Sequence, residues 1–121
     1  DWVCPTWYGA VPDCGSVCEM LRRATGRRPQ FIGKPEPAMA LLALERTGMP
    51  AEAAVMVGDR MYTDIAAGAN AGIDTAFVLS GEGTIADAAA GPPPTWIFDG
   101  IAALHRAWEA ARQQREGGSA R

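Results

Sequence analysis

Ala54-Ala-Val-Met-Val-Gly-Asp-Arg-Met-Tyr-Thr-Asp-Ile65 passes from apolar to acidic within a few residues, and the architecture of the chain is built around that change. An unbroken apolar run, Ala54 to Val57, ends at Gly58 and is followed at once by Asp59. A short β-branched run of this kind predicts a strand covered on both faces, as in a parallel sheet. Gly58 lets the chain turn out of the strand, which puts Asp59 where strand gives way to loop. Further on, Asp64 stands at the start of a helical pattern, with Thr63 beside it as a candidate cap. In open α/β sheets the rim outside the carboxyl ends of the strands is where ligands bind. Two carboxylates there can hold a hard cation through oxygen. The same spacing is met equally well by an Asp59 that only makes a turn and an Asp64 that only caps its helix.

Upstream of this stretch, Gly33-Lys34-Pro35 follows a short strand pattern at Gln30–Ile32 and precedes a helix predicted over Glu36–Thr47. Pro35, Pro37 and Glu36 suit a helix's first turn, whereas Lys34 is opposed there by the helix dipole. A residue that breaks a local rule is a candidate for a site, although a solvated lysine with its stem turned away meets the pattern too. Gly33-Lys34 is not a phosphate-binding P-loop, because the earlier glycine is missing and Pro35 replaces the hydroxyl residue. The helix itself is apolar nearly all round (Met39, Leu41, Leu42, Leu44), which predicts substantial burial. Gly48 stops it.

Downstream, a small-residue helix over roughly 63–71 ends at Gly72, and a third strand spans Asp74–Ser80. A short helix is predicted over Thr84–Ala90 with a Thr84/Asp87 capping pair. After the breaker Gly91-Pro-Pro-Pro94 a fourth strand spans Thr95–Phe98. Asp99 is placed to cap a last helix whose apolar face holds Ile101, Leu104, His105 and Trp108. His105 reads as a boundary residue beside Trp108. Gly81-Glu-Gly83-Thr-Ile-Ala86 matches a dinucleotide-binding fingerprint, but its helix is broken at Gly91 and it comes late in the sheet. From about Gln113 the chain is polar and Gly-rich, and a flexible tail is expected over 113–121. At the other end residues 1–13 read as irregular, punctuated by Pro5, Gly9 and Pro12. A helix is predicted over Cys14–Thr25, with Val17, Met20, Leu21 and Ala24 on one face and Gly26 as its stop.

Alternating helix and strand patterns in 121 residues argue one α/β domain at most. The formal net charge of −3 gives no general electrostatic reason to expect nucleic acid or an acidic membrane surface as partner. No apolar run approaches the length of a membrane span. Three cysteines (Cys4, Cys14, Cys18) do not make a secreted disulfide framework, and a cytoplasmic setting is expected. Cys14 and Cys18 are read as packing residues rather than metal ligands. The first residue is Asp1 rather than Met, so a piece of something longer is expected.

Taken together, Gly33-Lys34-Pro35 and Gly58-Asp59-Arg-Met-Tyr-Thr63-Asp64 resemble the third and fourth motifs of the haloacid dehalogenase (HAD) superfamily of phosphatases. The similarity is to the branch of p-nitrophenyl phosphatases, phosphoglycolate phosphatases and their sugar-phosphate relatives. Asn70-Ala-Gly-Ile73 and Val78-Leu-Ser-Gly81 continue it, and Pro12-Asp-Cys-Gly-Ser16 with Thr25-Gly-Arg27 resembles the end of that branch's large α/β cap. The resemblance covers roughly residues 1–110. It implies a Rossmann-like, three-layer α/β/α core with a parallel sheet, of which only the C-terminal part is here. Residues 1–29 would end the cap and 30–112 would form the C-terminal half of the core. Lys34 would be catalytic and bind phosphate, Asp59 would be catalytic and bind Mg²⁺ directly, and Asp64 would serve the metal directly or through water. The substrate implied is a small phosphorylated metabolite.

The departure is as informative as the match. The superfamily's first motif, Asp-x-Asp, supplies nucleophile and general acid, and none of Asp1, Asp13, Asp59, Asp64, Asp74, Asp87 and Asp99 makes one. The expectation is the C-terminal part of a Mg²⁺-dependent phosphatase, inactive alone, with the Ala54–Val57 edge open to association, including a homodimer. The alternatives are a non-catalytic α/β module that binds a phosphate ligand or a protein partner, and, from Gly81–Ala86, a nucleotide-cofactor binder.

Overall fold

Val55–Gly58, Asp74–Val78 and Trp96–Phe98 form the strands β3, β4 and β5 of a parallel sheet, in that spatial order. The computed structural model describes residues 1–118. Phe77 sits opposite Gly58 on one side of β4 and Ile97 on the other, so β4 is the central strand and its last four residues are buried. Phe77 and Ile65, both fully buried, join Met61 in the core, with Leu79 and Ala88 packed against them. The sheet, its parallel sense and these elements make the protein α/β, as the alternating pattern predicts.

β3 departs from expectation. Its residues alternate between half-buried and exposed, and Val55 and Val57 point out at 48% and 39% exposure. Among the described residues only β4 pairs with β3, so one face and one edge stay uncovered. The same lack of a neighbour explains two further corrections. Gln30–Ile32 is not a strand, since a strand forms only against a partner. The apolar helix α2, Ala38–Thr47, buries none of its residues; it packs against α3, Ala66–Ala71, while Met39, Leu41 and Leu42 are about half exposed.

Local signals otherwise hold with shifted boundaries. Gly48 and Gly72 take left-handed conformations that close α2 and α3, a geometry costly to side chains with a Cβ. The predicted Thr84–Ala90 helix shrinks to a single 3₁₀ turn, Asp87–Ala89, although Thr84 donates both its N–H and its hydroxyl to Asp87. Those bonds hold the Asp87 carboxyl below its usual pKa. The last helix, α4, spans Ile101–Gly118 and so runs past Gln113; the rest of the expected tail lies outside the described residues. Its first hydrogen bonds close on the Gly100 carbonyl, one residue beyond Asp99.

The chain divides into two compact units, Asp1–Phe31 and Ile32–Arg121. In the first, the stretch read as irregular is a hairpin: β1, Val3–Thr6, pairs antiparallel with β2, Gly9–Pro12. Prolines are tolerated because a two-stranded ribbon has two free edges. Helix α1, Cys14–Thr25, begins at an Asp13 cap and ends at left-handed Gly26. Glu19 accepts hydrogen bonds from Arg22 and Arg23, which hold its carboxyl at about 2. The face carrying Val17, Met20 and Leu21 is exposed rather than packed. The Cys14 and Cys18 sulfurs lie 3.9 Å apart.

Candidate functional site

Asp64 is the hub of the carboxyl rim. Its side chain is 7% exposed, and Oδ1 takes a 2.6 Å ion pair from Lys34 Nζ. Its Oδ2 accepts the Arg60 backbone N–H at 3.2 Å. A Cβ on Gly58 would fall on the Asp64 carboxylate, so glycine at this position lets β3 run directly beneath it. We expect Gly58→Ala to lower the urea midpoint of unfolding and to displace the Lys34–Asp64 pair, by an overpacking cost of about 1–3 kcal/mol. An unchanged midpoint would show that the rim yields easily.

Asp64 does not cap a helix. Residues Met61–Ile65 form a π-helical turn in which the Asp64 and Ile65 N–H groups both donate to the Arg60 carbonyl. Such turns recur at functional sites. Thr63 caps nothing either: it is 4% exposed, and its hydroxyl has no hydrogen-bond partner among the described residues.

Lys34 sits in a tight turn ahead of α2 rather than in its first turn. The Glu36 N–H donates to the Gly33 carbonyl, the Lys34–Pro35 peptide is cis, and α2 begins only at Ala38. The expected conflict with the helix dipole therefore falls away, and the lysine meets a carboxylate instead. Asn70, on α3, donates from Nδ2 to the Pro35 carbonyl at 2.9 Å and ties this turn to the sheet's helical cover. Half of the Lys34 side chain remains exposed, so its ammonium has capacity for a second anion.

Asp59 leaves β3 beside this pair and is clasped by the loop after β4. The Glu82 N–H donates to Asp59 Oδ2 at 2.8 Å, and the Gly83 N–H donates to the Asp59 carbonyl at 3.0 Å. Gly81 faces the Asp59 carboxylate so closely that a Cβ would overlap it. The two glycines that mimic a dinucleotide fingerprint thus serve close approach to Asp59. Arg60 and Glu82 add a 2.7 Å ion pair, which holds the Arg60 guanidinium above its ordinary pKa. This clasp was not anticipated from the sequence. The signal that could have found it is topological: loops after adjacent parallel strands lie side by side, so Gly81–Gly83 had to neighbour Asp59.

The rim fits a hard cation at one point. Asp59 Oδ1 carries no hydrogen bond among the described residues, whereas both Asp64 oxygens are engaged. No three His, Cys, Asp or Glu side chains gather into a metal site among the described residues. A separate pocket of about 500 Å³ opens beside the clasp, lined by Arg60, Met61, Tyr62, Glu82, Gly83 and Pro92 among others. No helix among the described residues is long and apolar enough to cross a membrane.

Comparison with known proteins bears on the family and the fold. Residues 31–104 match the HAD-hydrolase-like family. A dihydroxyacetone phosphatase of Corynebacterium glutamicum is 41% identical over 106 residues, 87% of this chain and 38% of that protein. The 4-nitrophenylphosphatase of Thermotoga maritima superposes with a TM-score of 0.80 at 40% identity, over 88% of this chain and 41% of the other. A glycerol phosphate phosphatase of Mycobacterium tuberculosis, solved in complex with magnesium, superposes with a TM-score of 0.79 at 38% identity, over 87% of this chain and 32% of the other. The chain therefore spans well under half the length of these relatives, and these relatives are phosphatases of small phosphorylated compounds. The matched family and these identities settle the kinship: the chain belongs to the HAD-hydrolase-like family.

Proposed function

We propose that this chain is the C-terminal part of a Mg²⁺-dependent phosphatase acting on small phosphomonoesters through an aspartyl-phosphate, whose nucleophile comes from a segment outside these residues. The observation that carries the reading is the Lys34–Asp64 ion pair at 2.6 Å on the rim that also bears Asp59. The Lys34 ammonium is held in place by Asp64 and half exposed, so it can neutralise phosphoryl oxygens while charge develops on them. Asp64 orients that lysine, and Asp59 would hold the metal through Oδ1. Magnesium, when bound, supplies electrostatic stabilisation of the phosphoryl group. Neither carboxylate is placed as the nucleophile in this reading: Asp59 Oδ1 would be taken by the metal while Oδ2 accepts the Glu82 N–H, and both Asp64 oxygens are engaged by donors. The absence of Asp-x-Asp from the sequence supports a nucleophile supplied elsewhere. The three free cysteines suit a cytoplasmic protein, and nothing in the net charge of −3 calls for nucleic acid or a membrane.

The direct test is Mg²⁺-dependent hydrolysis of a panel of small phosphomonoesters by the whole gene product that contains this chain. Failure on every ester, with Mg²⁺ bound, would favour a non-catalytic phosphate- or partner-binding module. For residues 1–121 alone two further outcomes are expected. Mg²⁺ binds weakly, because it requires near-octahedral oxygen coordination and one available carboxylate oxygen falls short of it; micromolar affinity by calorimetry would contradict this. The chain also self-associates, as a dimer or larger, through the open β3 edge with Val55 and Val57 beside it. A monodisperse monomer in sedimentation velocity, with sharp cooperative melting, would count against that.

A further inference from the structure

We infer that the Arg60–Glu82 ion pair is a latch, which holds the Gly81–Gly83 loop against Asp59 and so aims the carboxylate's unengaged oxygen at the cation. The inference rests on the metal role proposed for Asp59 and concerns what fixes that residue's orientation. A carboxylate on a strand end can rotate, and a ligand is useful only when its oxygen faces the ion. Here Oδ2 is pinned by the Glu82 N–H at 2.8 Å, which leaves Oδ1 as the outward oxygen. The pinning group belongs to a loop flanked by glycines, Gly81 and Gly83, and glycine pays the largest conformational entropy on ordering. Such a loop needs an anchor.

Two anchors are present. Gly83 lies over the ring of Phe77, where no Cβ would fit, and donates its N–H to the Asp59 carbonyl. Glu82 closes a ring: from Asp59 along the backbone to Arg60, through its guanidinium to Glu82 Oε2 at 2.7 Å, and back by the Glu82 N–H to Asp59 Oδ2. The Arg60 side chain is only 23% exposed. Exposed pairs contribute little to global stability, but a latch has only to bias one short loop. Arg60 and Glu82 are positioning residues in this account, because they act on the cation through Asp59.

Charge alone and a latch make opposite predictions for Arg60. Removing a cation beside a Mg²⁺ site strengthens metal binding if only Coulomb's law matters. Loss of the latch weakens it. The experiment measures Mg²⁺ affinity by calorimetry, and amide hydrogen exchange at Glu82 and Gly83, in the whole gene product. Arg60→Ala and Glu82→Ala are each expected to lower Mg²⁺ affinity about tenfold, the lower end of what groups that orient metal ligands contribute. Both speed exchange at Glu82 and Gly83 while exchange at Phe77 is unchanged. The double variant is no worse than either single one, since the two act as a unit, and Arg60→Lys recovers part of the loss. Arg60→Ala that binds Mg²⁺ as tightly as wild type or tighter, or single-variant losses that multiply in the double variant, or exchange rates unmoved in both single variants, would overturn the latch. Mg²⁺ binding and exchange that behave as described, in a protein that hydrolyses no phosphomonoester, would overturn the proposed activity and leave the latch standing. A wild type with no Mg²⁺ affinity overturns both.

Discussion

In the whole gene product, Asp59→Asn and Lys34→Ala are each expected to lower kcat for p-nitrophenyl phosphate by about a hundredfold or more. Asparagine keeps the shape of Asp59 and can still accept the Glu82 N–H, so the clasp at 2.8 Å survives. With its single oxygen on the Glu82 N–H, it turns an uncharged NH₂ group toward the cation, and an amide nitrogen does not replace a carboxylate oxygen as a ligand to a hard cation. Part of the Asp59→Asn defect should therefore recover at high Mg²⁺. The Lys34→Ala defect should not, because the missing charge is on the protein. Lys34→Ala also leaves the 5% exposed Asp64 with the Arg60 N–H as its remaining hydrogen-bond partner among the described residues, and a buried carboxylate without its counter-charge destabilises the fold. Asp64→Asn separates the two effects: it frees Lys34 without removing it, so KM is expected to rise more than kcat falls. Wild-type kcat in Lys34→Ala would remove the lysine from the chemistry.

The rim was legible in the sequence because its signals are local. A β-branched run closed by glycine and aspartate names a strand end, and the left-handed glycines Gly48 and Gly72 follow from helix stop signals. The pairing of Lys34 with Asp64 was within reach only as a shared rim; their ion pair joins residues far apart in the chain, and spacing carries no such information. Other features were misread, left ambiguous or missed, each for an identifiable reason. Pro5 and Pro12 suggested an irregular start, but a hairpin with two free edges accommodates them. The apolar faces of α2 and β3 implied burial, and burial depends on neighbours that no single segment reveals. Gly81-Glu-Gly83 resembled a nucleotide fingerprint because glycine marks any place where backbone must come close, here to the Asp59 carboxylate. Arg60 and Glu82 carried no motif at all, and only the adjacency of the loops after β3 and β4 brings them together.

We propose that these residues hold the lysine and metal half of a phosphatase site and lack the nucleophile. An aspartyl-phosphate needs a carboxylate in line with phosphorus and opposite the leaving oxygen, and a second acid to protonate that oxygen. On this proposal Asp59 would be committed to the cation while its Oδ2 accepts the Glu82 N–H, Asp64 accepts from Lys34 and the Arg60 N–H, and the sequence contains no Asp-x-Asp. The most direct measurement is the rate of p-nitrophenyl phosphate hydrolysis by purified residues 1–121 with Mg²⁺, set against the same chain carrying Asp59→Asn and against a longer polypeptide that includes an Asp-x-Asp segment. The predicted result is turnover by the longer polypeptide only, with the short chain indistinguishable from its Asp59→Asn variant. Hydrolysis by the short chain that Asp59→Asn abolishes would contradict the claim.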